Sequence, residues 1–342
     1  LPRPGIIIDI EIEERVALAH DEGRRVLLTL VDVSKTGIIA PSPASALALR
    51  RRFPRTVDVL VDVCQFRLAP ASLRAYLEQG FMVALTGSKF LTGPTFSGAL
   101  LVPRAIAKRL RKQALPPAIT AYSARADWPR GWAAASTLRE VANYGLLLRW
   151  EAALEELRAF RAIPERAVAR FLAAFSEAVR GRLRADPVFE ALPVPDLDRR
   201  PFTDPTSWDH IPTIYPFLLR HDDAQGAATP FSREEMARVY KLLARDIADP
   251  LGLKPGDPIW NLAVQRCEVG QPVLCGTRGG IPISALRLCA SARLIVEGVS
   301  STRRDRNPVI QRALMTLDKT ALIAREWARL QHTPSPDRTS TP

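Results

Sequence analysis

The chain has 342 residues, 48 Lys and Arg against 36 Asp and Glu, and a formal net charge of +12. Hydrophobic residues make up 47% and charged residues 25%, the balance of a globular protein, and no apolar run is long enough to span a membrane. The basic residues are dispersed, with "RRRF" (50–53) and "KRLRK" (108–112) as small clusters and no aromatic-interleaved stripe, so neither a nucleic acid nor a membrane is expected as a partner.

Residues 1–105 alternate strand and helix patterns. "GIIIDI" reads as a strand and "EIEERVALAHDEG" as a helix closed by Gly23. "RRVLLTLVDV" is a near-continuous apolar run, as in a strand buried on both faces. After the loop "SKTGIIAPSP" come the helix "ASALALRRRF", the strand "TVDVLVDV" and the amphipathic helix "ASLRAYLEQG". "FMVALTGS" and "SGALLVP" read as two further strands. Such alternation predicts an α/β fold with a mostly parallel sheet and flanking helices.

Helices dominate the next stretch. "AIAKRLRKQ" is short, and a Pro- and Trp-bearing segment, "PPAITAYSARADWPRGW", follows it. "STLREVANYGLLLRWEAALEELRAF" predicts a long helix capped by Ser136 or Thr137, with Glu140 in reach of a capping box. "ERAVARFLAAFSEAVRGRL" predicts another, ending near Gly181. Beyond a Pro-rich irregular stretch come the helix "SREEMARVYKLLARDI", the strands "CEVGQPVLCG" and "ALRLCASARLIVE", and a closing helix over "NPVIQRALMTLDKTALIAREWARLQ". The expected organisation is a large domain over 1–135, connecting long helices over 136–185, a smaller α+β domain over 186–330 and a disordered tail over 331–342.

Four cysteines, Cys64, Cys267, Cys275 and Cys289, form no C-x-x-C pair, and no two of the four histidines have ligand spacing. No metal site is expected. Buried thiols in a reducing cytoplasm fit the cysteines, and surface or capping positions fit the histidines.

Ligands of open α/β sheets bind beyond the carboxyl ends of the strands. That rule selects Ser34 after the first apolar run, Asp62 and Gln65 after the second, and Thr86, Ser88 and Lys89 after the third. A pyridoxal phosphate site wants this set. A lysine amine forms a Schiff base with the cofactor aldehyde, and a carboxylate pairs with the pyridinium nitrogen. An amide or hydroxyl holds the ring oxygen, and small and hydroxylated residues beside the lysine reach the phosphate.

"VDVCQ", followed 27 residues after its aspartate by the lysine of "TGSKFLTGPTFSGALLVP", resembles the class V aminotransferase family, which includes the cysteine desulfurases. The resemblance implies a fold-type I pyridoxal phosphate enzyme. By it, Lys89 is the Schiff-base lysine and general acid/base, Asp62 tunes the ring, and Gln65 and Ser34 contact its oxygen side. Thr86 and Ser88 hold phosphate, where the family has serine and, in many members, histidine. Gly93-Pro94 match the family's loop. "ALRLCAS" resembles the family's R-x-S segment, making Arg287 the anchor for a substrate carboxylate. The family is usually dimeric, so a homodimer is implied.

The likeness begins at "GIIIDI", inside the family's large domain. The family's turn that cups the phosphate and the ring stacked on the cofactor have no counterpart in these 342 residues. Residues 1–135 are therefore expected to be part of a cofactor-binding large domain. Cys275 precedes Arg287 by 12 residues but is two positions from the family's sulfur nucleophile, so it is expected as a strand cysteine. The expected activity is transamination, or lyase or epimerase chemistry through a carbanion, on an amino acid or related amine. The alternative is a truncated or degenerate non-catalytic relative that serves as a scaffold or partner subunit.

Overall fold

The computed structural model describes residues 3–203, 206–222, 228–301 and 307–333, which leaves most of the expected tail outside the described residues. The chain divides into two compact units. Unit 1 takes residues up to 169, 196–211 and 291–296; unit 2 takes 170–195, 212–290 and the rest from 297.

In unit 1, α1 (Gly5–Asp21), β1 (Val26–Val31), α2 (Pro43–Arg52), β2 (Val57–Val63), α3 (Pro70–Glu78), β3 (Met82–Thr86) and β4 (Gly98–Leu101) follow in order. The sheet runs β1-β2-β3-β4, with β1, β2 and β3 parallel and β4 antiparallel to β3. The predicted α/β class with a mostly parallel sheet is what the chain adopts. One sheet face, carrying Leu28, Leu30, Val57, Val59, Val61, Val63 and Val83, is fully covered. Onto it pack Val16 of α1, Ala46, Leu47 and Leu49 of α2, and Tyr76 of α3. The opposite face is more open: Leu27 on β1 and Leu100 on β4 are exposed. Beyond β4 lie α4 (Arg104–Leu110), three short 3-10 turns and α5 (Tyr144–Arg161).

Three expectations for unit 1 and the helices after it are corrected. "GIIIDI" is not a strand but the start of α1. No turn signal separates it from "EIEER", so one helix runs through, and Asp9 accepts the backbone N–H of Ser42 at the start of α2 at 2.8 Å. The long helix does not begin at Ser136 or Thr137, which lie in a 3-10 turn. It begins at Tyr144, where the Asn143 side chain accepts from the Leu146 N–H at 3.1 Å. The next predicted helix is α6 (Glu165–Arg184), as expected, but it passes through Gly181 and ends three residues later, before Pro187. The division between the units falls within α6.

Unit 2 holds a second sheet. Its strands are β5 (Phe189–Ala191), β6 (Ile214–Asp222), β7 (Ala228–Pro230), β8 (Gly270–Arg278) and β9 (Ile281–Cys289). The order is β5-β6-β9-β8, with β7 also on β6, and every pairing is antiparallel. The helices are α7 (Arg233–Leu243), α8 (Trp260–Val264), α9 (Ala292–Ser300, shared with unit 1), α10 (Pro308–Arg325) and α11 (Trp327–Leu330). The expected strand over "ALRLCASARLIVE" stops at Cys289, because "ARLIVE" turns into α9. α7 opens with a capping box in which Ser232 and Glu235 satisfy each other's backbone N–H. Among the described residues, no helix is long and apolar enough to cross a membrane.

Candidate functional site

Strand pairing fixes which side chains share a face. Asp62 pairs with Ala84 in the parallel β2–β3 register, and Thr86 lies two residues beyond Ala84 on the same face. Asp62 and Thr86 therefore both belong to the open face at the carboxyl end of the sheet, and both are half-buried. Lys89 follows in the loop after β3 and is exposed. The Thr86 and Ser88 hydroxyls lie 3.0 Å apart, and the Thr86 hydroxyl accepts from the Ser88 N–H at 3.3 Å. The loop folds onto its neighbour: the Phe90 N–H donates to the carbonyl of Gln65 at 3.3 Å. Thus Asp62 and Thr86, at the ends of two adjacent strands, and Gln65, Ser88 and Lys89, in the loops that follow those strands, come together at one end of the sheet.

Asp62 is held from its own loop. Its carboxylate accepts the Cys64 N–H at 3.0 Å, an Asx-type turn. The Cys64 thiol is pushed up to about 11, by shielding of its sulfur from water first, then by its hydrogen bond to Asp62 and that carboxylate's charge. The Lys89 ammonium opposes the shift, which places thiol, carboxylate and amine in one electrostatic neighbourhood. Cys64 is an exposed residue, so the expectation of buried cysteines fails here. It stands just past the end of β2, between Val63 and Gln65, and has no sheet face to enter.

Ser34 sits in the loop after β1. Its hydroxyl accepts from the backbone N–H groups of Thr36 and Ile38, both at 3.2 Å, and contacts the Thr36 hydroxyl at 3.1 Å. It shapes its own loop. Arg287 lies in unit 2 on β9, nearly buried, with its guanidinium donating to the Gln271 carbonyl at 2.9 and 3.2 Å and packed against Gly270. Cys275 is a strand residue of β8, half-buried beside Leu218, Ile283 and Ala285, and burial raises its thiol.

The glycines around Lys89 have a packing reason that the sequence does not reveal. A Cβ on Gly87 would overlap Ala153 of α5, and one on Gly93 would lie 2.7 Å from the same methyl. The loop after β3 is therefore pressed against a helix that begins more than 50 residues later.

Sequence reading missed a buried polar set on the other side of the sheet end. Asp32 follows β1 in the triplet V-D-V, as Asp62 ends β2 in the same triplet. The register pairs Val31, not Asp32, with Asp62, so the two aspartates face opposite ways. Asp32 is fully buried and accepts a two-pronged contact from Arg199 at 2.7 and 2.8 Å and the Tyr76 hydroxyl at 2.9 Å. Burial alone would lower the Arg199 guanidinium; Asp32, with Asp209, outweighs it and pushes it up. Burial and the Asp32 charge push the Tyr76 phenol well up. One signal was available: an aspartate inside a near-continuous apolar run implies a buried partner. The partner itself, in "DLDRRPF", carries no pattern. His210 also departs from expectation, being buried rather than exposed.

No protein-family model matches the chain, and no curated protein matches it. Among solved structures it is similar to a tryptophan decarboxylase from Catharanthus roseus in complex with L-tryptophan, with a TM-score of 0.48 and 17% identity over 94% of this chain and 53% of that one. It is also similar to an alanine–glyoxylate aminotransferase from Nostoc sp., with a TM-score of 0.46 and 13% identity over 90% of this chain and 65% of that one. A ureidoglycine–glyoxylate aminotransferase from Bacillus subtilis gives a TM-score of 0.44 and 12% identity over 90% and 68%. The chain spans 53% and 65% of the lengths of the first two.

Proposed function

We propose that unit 1 carries a pyridoxal phosphate site of the class V aminotransferase type, and that the protein acts on an amino acid or related amine. The observation that supports this most is the donor set at the ends of β2 and β3. An exposed amine, Lys89, stands beside two paired hydroxyls, and a carboxylate on the adjacent strand is held by a backbone N–H. That chemistry fits the group, which needs an amine for its aldehyde, an anion for its ring nitrogen and hydroxyls for its phosphate.

When bound, the cofactor supplies an electron sink for the carbanion formed at the substrate's amino-bearing carbon. The chain's own part is to bind and to move protons. Lys89 would hold the cofactor's aldehyde through Nζ, and its amine would carry a proton to and from the substrate carbon. Asp62, kept in place by the Cys64 N–H, would keep the ring nitrogen protonated. Thr86 and Ser88 would donate to phosphate oxygens, and the Gln65 amide would meet the ring oxygen. The choice among transamination, lysis and epimerisation belongs to groups around the substrate.

Titrating the protein with pyridoxal phosphate tests the proposal. A saturable absorbance band at the edge of the visible range is expected, and Lys89→Ala abolishes it. A band that survives Lys89→Ala, or none at all, contradicts it.

A further inference from the structure

Described residues of one stretch of unit 1, 197–203 and 206–211, touch all three loops at the carboxyl end of the parallel strands. To the loop after β1 it sends Arg199, whose guanidinium grips Asp32 at 2.7 and 2.8 Å. To the loop after β2 it sends the same guanidinium, which also donates to the Arg67 carbonyl at 3.4 Å. The Asp209 carboxylate adds two contacts there, accepting the Ala69 N–H and the Ser72 hydroxyl, both at 2.8 Å, at the entry to α3. To the loop after β3 it sends Trp208, stacked on Phe90 with ring centres 5.5 Å apart and planes 11° apart. Phe90 is the residue next to Lys89. Phe160 of α5 meets both rings edge-on, and the Arg67 guanidinium lies over the Phe90 ring at 5.3 Å. The segment also ties to itself, Arg199 donating to the Asp209 carbonyl, so its two grips are one body.

The gripped loops need such a tie. Phe66 has φ of 51° and Thr92 has φ of 55°, left-handed conformations that are costly for a residue with a side chain. They persist only where the surroundings dictate them. Phe66 stands between Gln65 and Arg67, and Thr92 donates its N–H to the carbonyl of Lys89 at 3.0 Å. Arg199 itself is wholly buried, and its fork is spent on groups of the loops and of its own segment rather than on water.

We propose that residues 197–203 and 206–211 act as a strap that sets the positions of the loops after β2 and β3, which carry Gln65 and Lys89, against Asp62 at the end of β2, with Arg199 and Trp208 as its positioning residues. The proposal rests on the reading that those loops form one site. Neither residue meets the reacting atoms. Arg199 acts through Asp32 and the Arg67 carbonyl, and Trp208 acts through Phe90. Loosening either end lets the loops move independently, so the amine of Lys89 loses its fixed placement against Asp62.

Two variants test this: Arg199→Lys keeps the charge but loses the fork, and Trp208→Leu keeps an apolar side chain but loses the stack. The first readout is hydrogen–deuterium exchange on the full chain without cofactor. Exchange is expected to rise about tenfold together over 33–40, 64–69 and 87–93 in each variant, while the β2 peptide over 57–61 keeps its protection. The second readout is borohydride-trapped pyridoxal phosphate on Lys89 against the other lysines. Lys89 labelling is expected to fall several-fold in both variants, with the other lysines unchanged. If each variant opens only the loop its side chain touches, or if Lys89 labelling stays at the wild-type level, the strap is overturned. Failure of wild-type protein to label at Lys89 contradicts the cofactor reading instead, and the exchange result then decides the strap alone.

Discussion

Asp62 and Cys64 make a pair whose chemistry can be read from outside. The thiol is held up to about 11 by shielding of its sulfur and by the hydrogen bond and charge of Asp62, so little thiolate exists at pH 8. Replacing Asp62 by Asn removes the charge and weakens the hydrogen bond, which lowers the thiol. Iodoacetamide labelling of Cys64 at pH 8, followed by peptide mass, is expected to speed up by about threefold or more in Asp62→Asn. An unchanged rate means that the carboxylate does not hold the thiol. Asp62 and Lys89 were legible in the sequence because strand ends and residue type suffice to find them. Cys64 was legible as a residue but not as a neighbour of Lys89, since that closeness depends on how two loops fold together. Arg199 was not legible at all. Its role comes from a contact with Asp32 across 167 residues, and nothing local in "DLDRRPF" marks it.

Elements show the same division between local and distant causes. β1, β2 and β3 were readable from apolar runs bounded by turn residues, and α7 from its helical repeat. α1 was misread because consecutive isoleucines favour a strand only where a partner strand exists, and here the helical pattern of "EIEERVALA" extends backward through them. α10 carries a device that only the fold exposes. Its Lys319 is fully buried, and the ammonium donates to the carbonyls of Arg245, at 2.5 Å, and Gln265, past the ends of α7 and α8. A cation suits helix C-termini, yet burial pulls its pKa down to about 8, against the opposing pull of Cys267 and Asp246. A lysine that releases its proton earlier when folded than when unfolded makes stability rise with pH. The window runs from about 8 to the ordinary lysine value of 10.5. Urea unfolding at pH 7.5 and 9.5 should therefore show a gain for wild type that is missing from Lys319→Met. An equal gain in both proteins contradicts the assignment.

At the scale of the whole molecule, unit 1 assembles a donor set from two strand ends and the loops after them, and residues 197–203 and 206–211 tie those loops to a third. The segment enters unit 1 after residues 170–195 have gone to unit 2, so the end of the sheet depends on chain that is distant in sequence. Stability at that end is expected to rise and fall with Arg199 and Asp32, because a buried pair that loses one partner leaves a charge without compensation. The central claim is narrower: among all the lysines of this chain, Lys89 has the surroundings to take up pyridoxal phosphate. Incubation with the cofactor at low stoichiometry, reduction with borohydride and peptide mapping measure it most directly. The account predicts the pyridoxyl group on the peptide carrying Lys89, in preference to every other lysine and sharply reduced by Asp62→Asn. Label spread evenly over surface lysines, or on Lys89 to the same extent without Asp62, would contradict it.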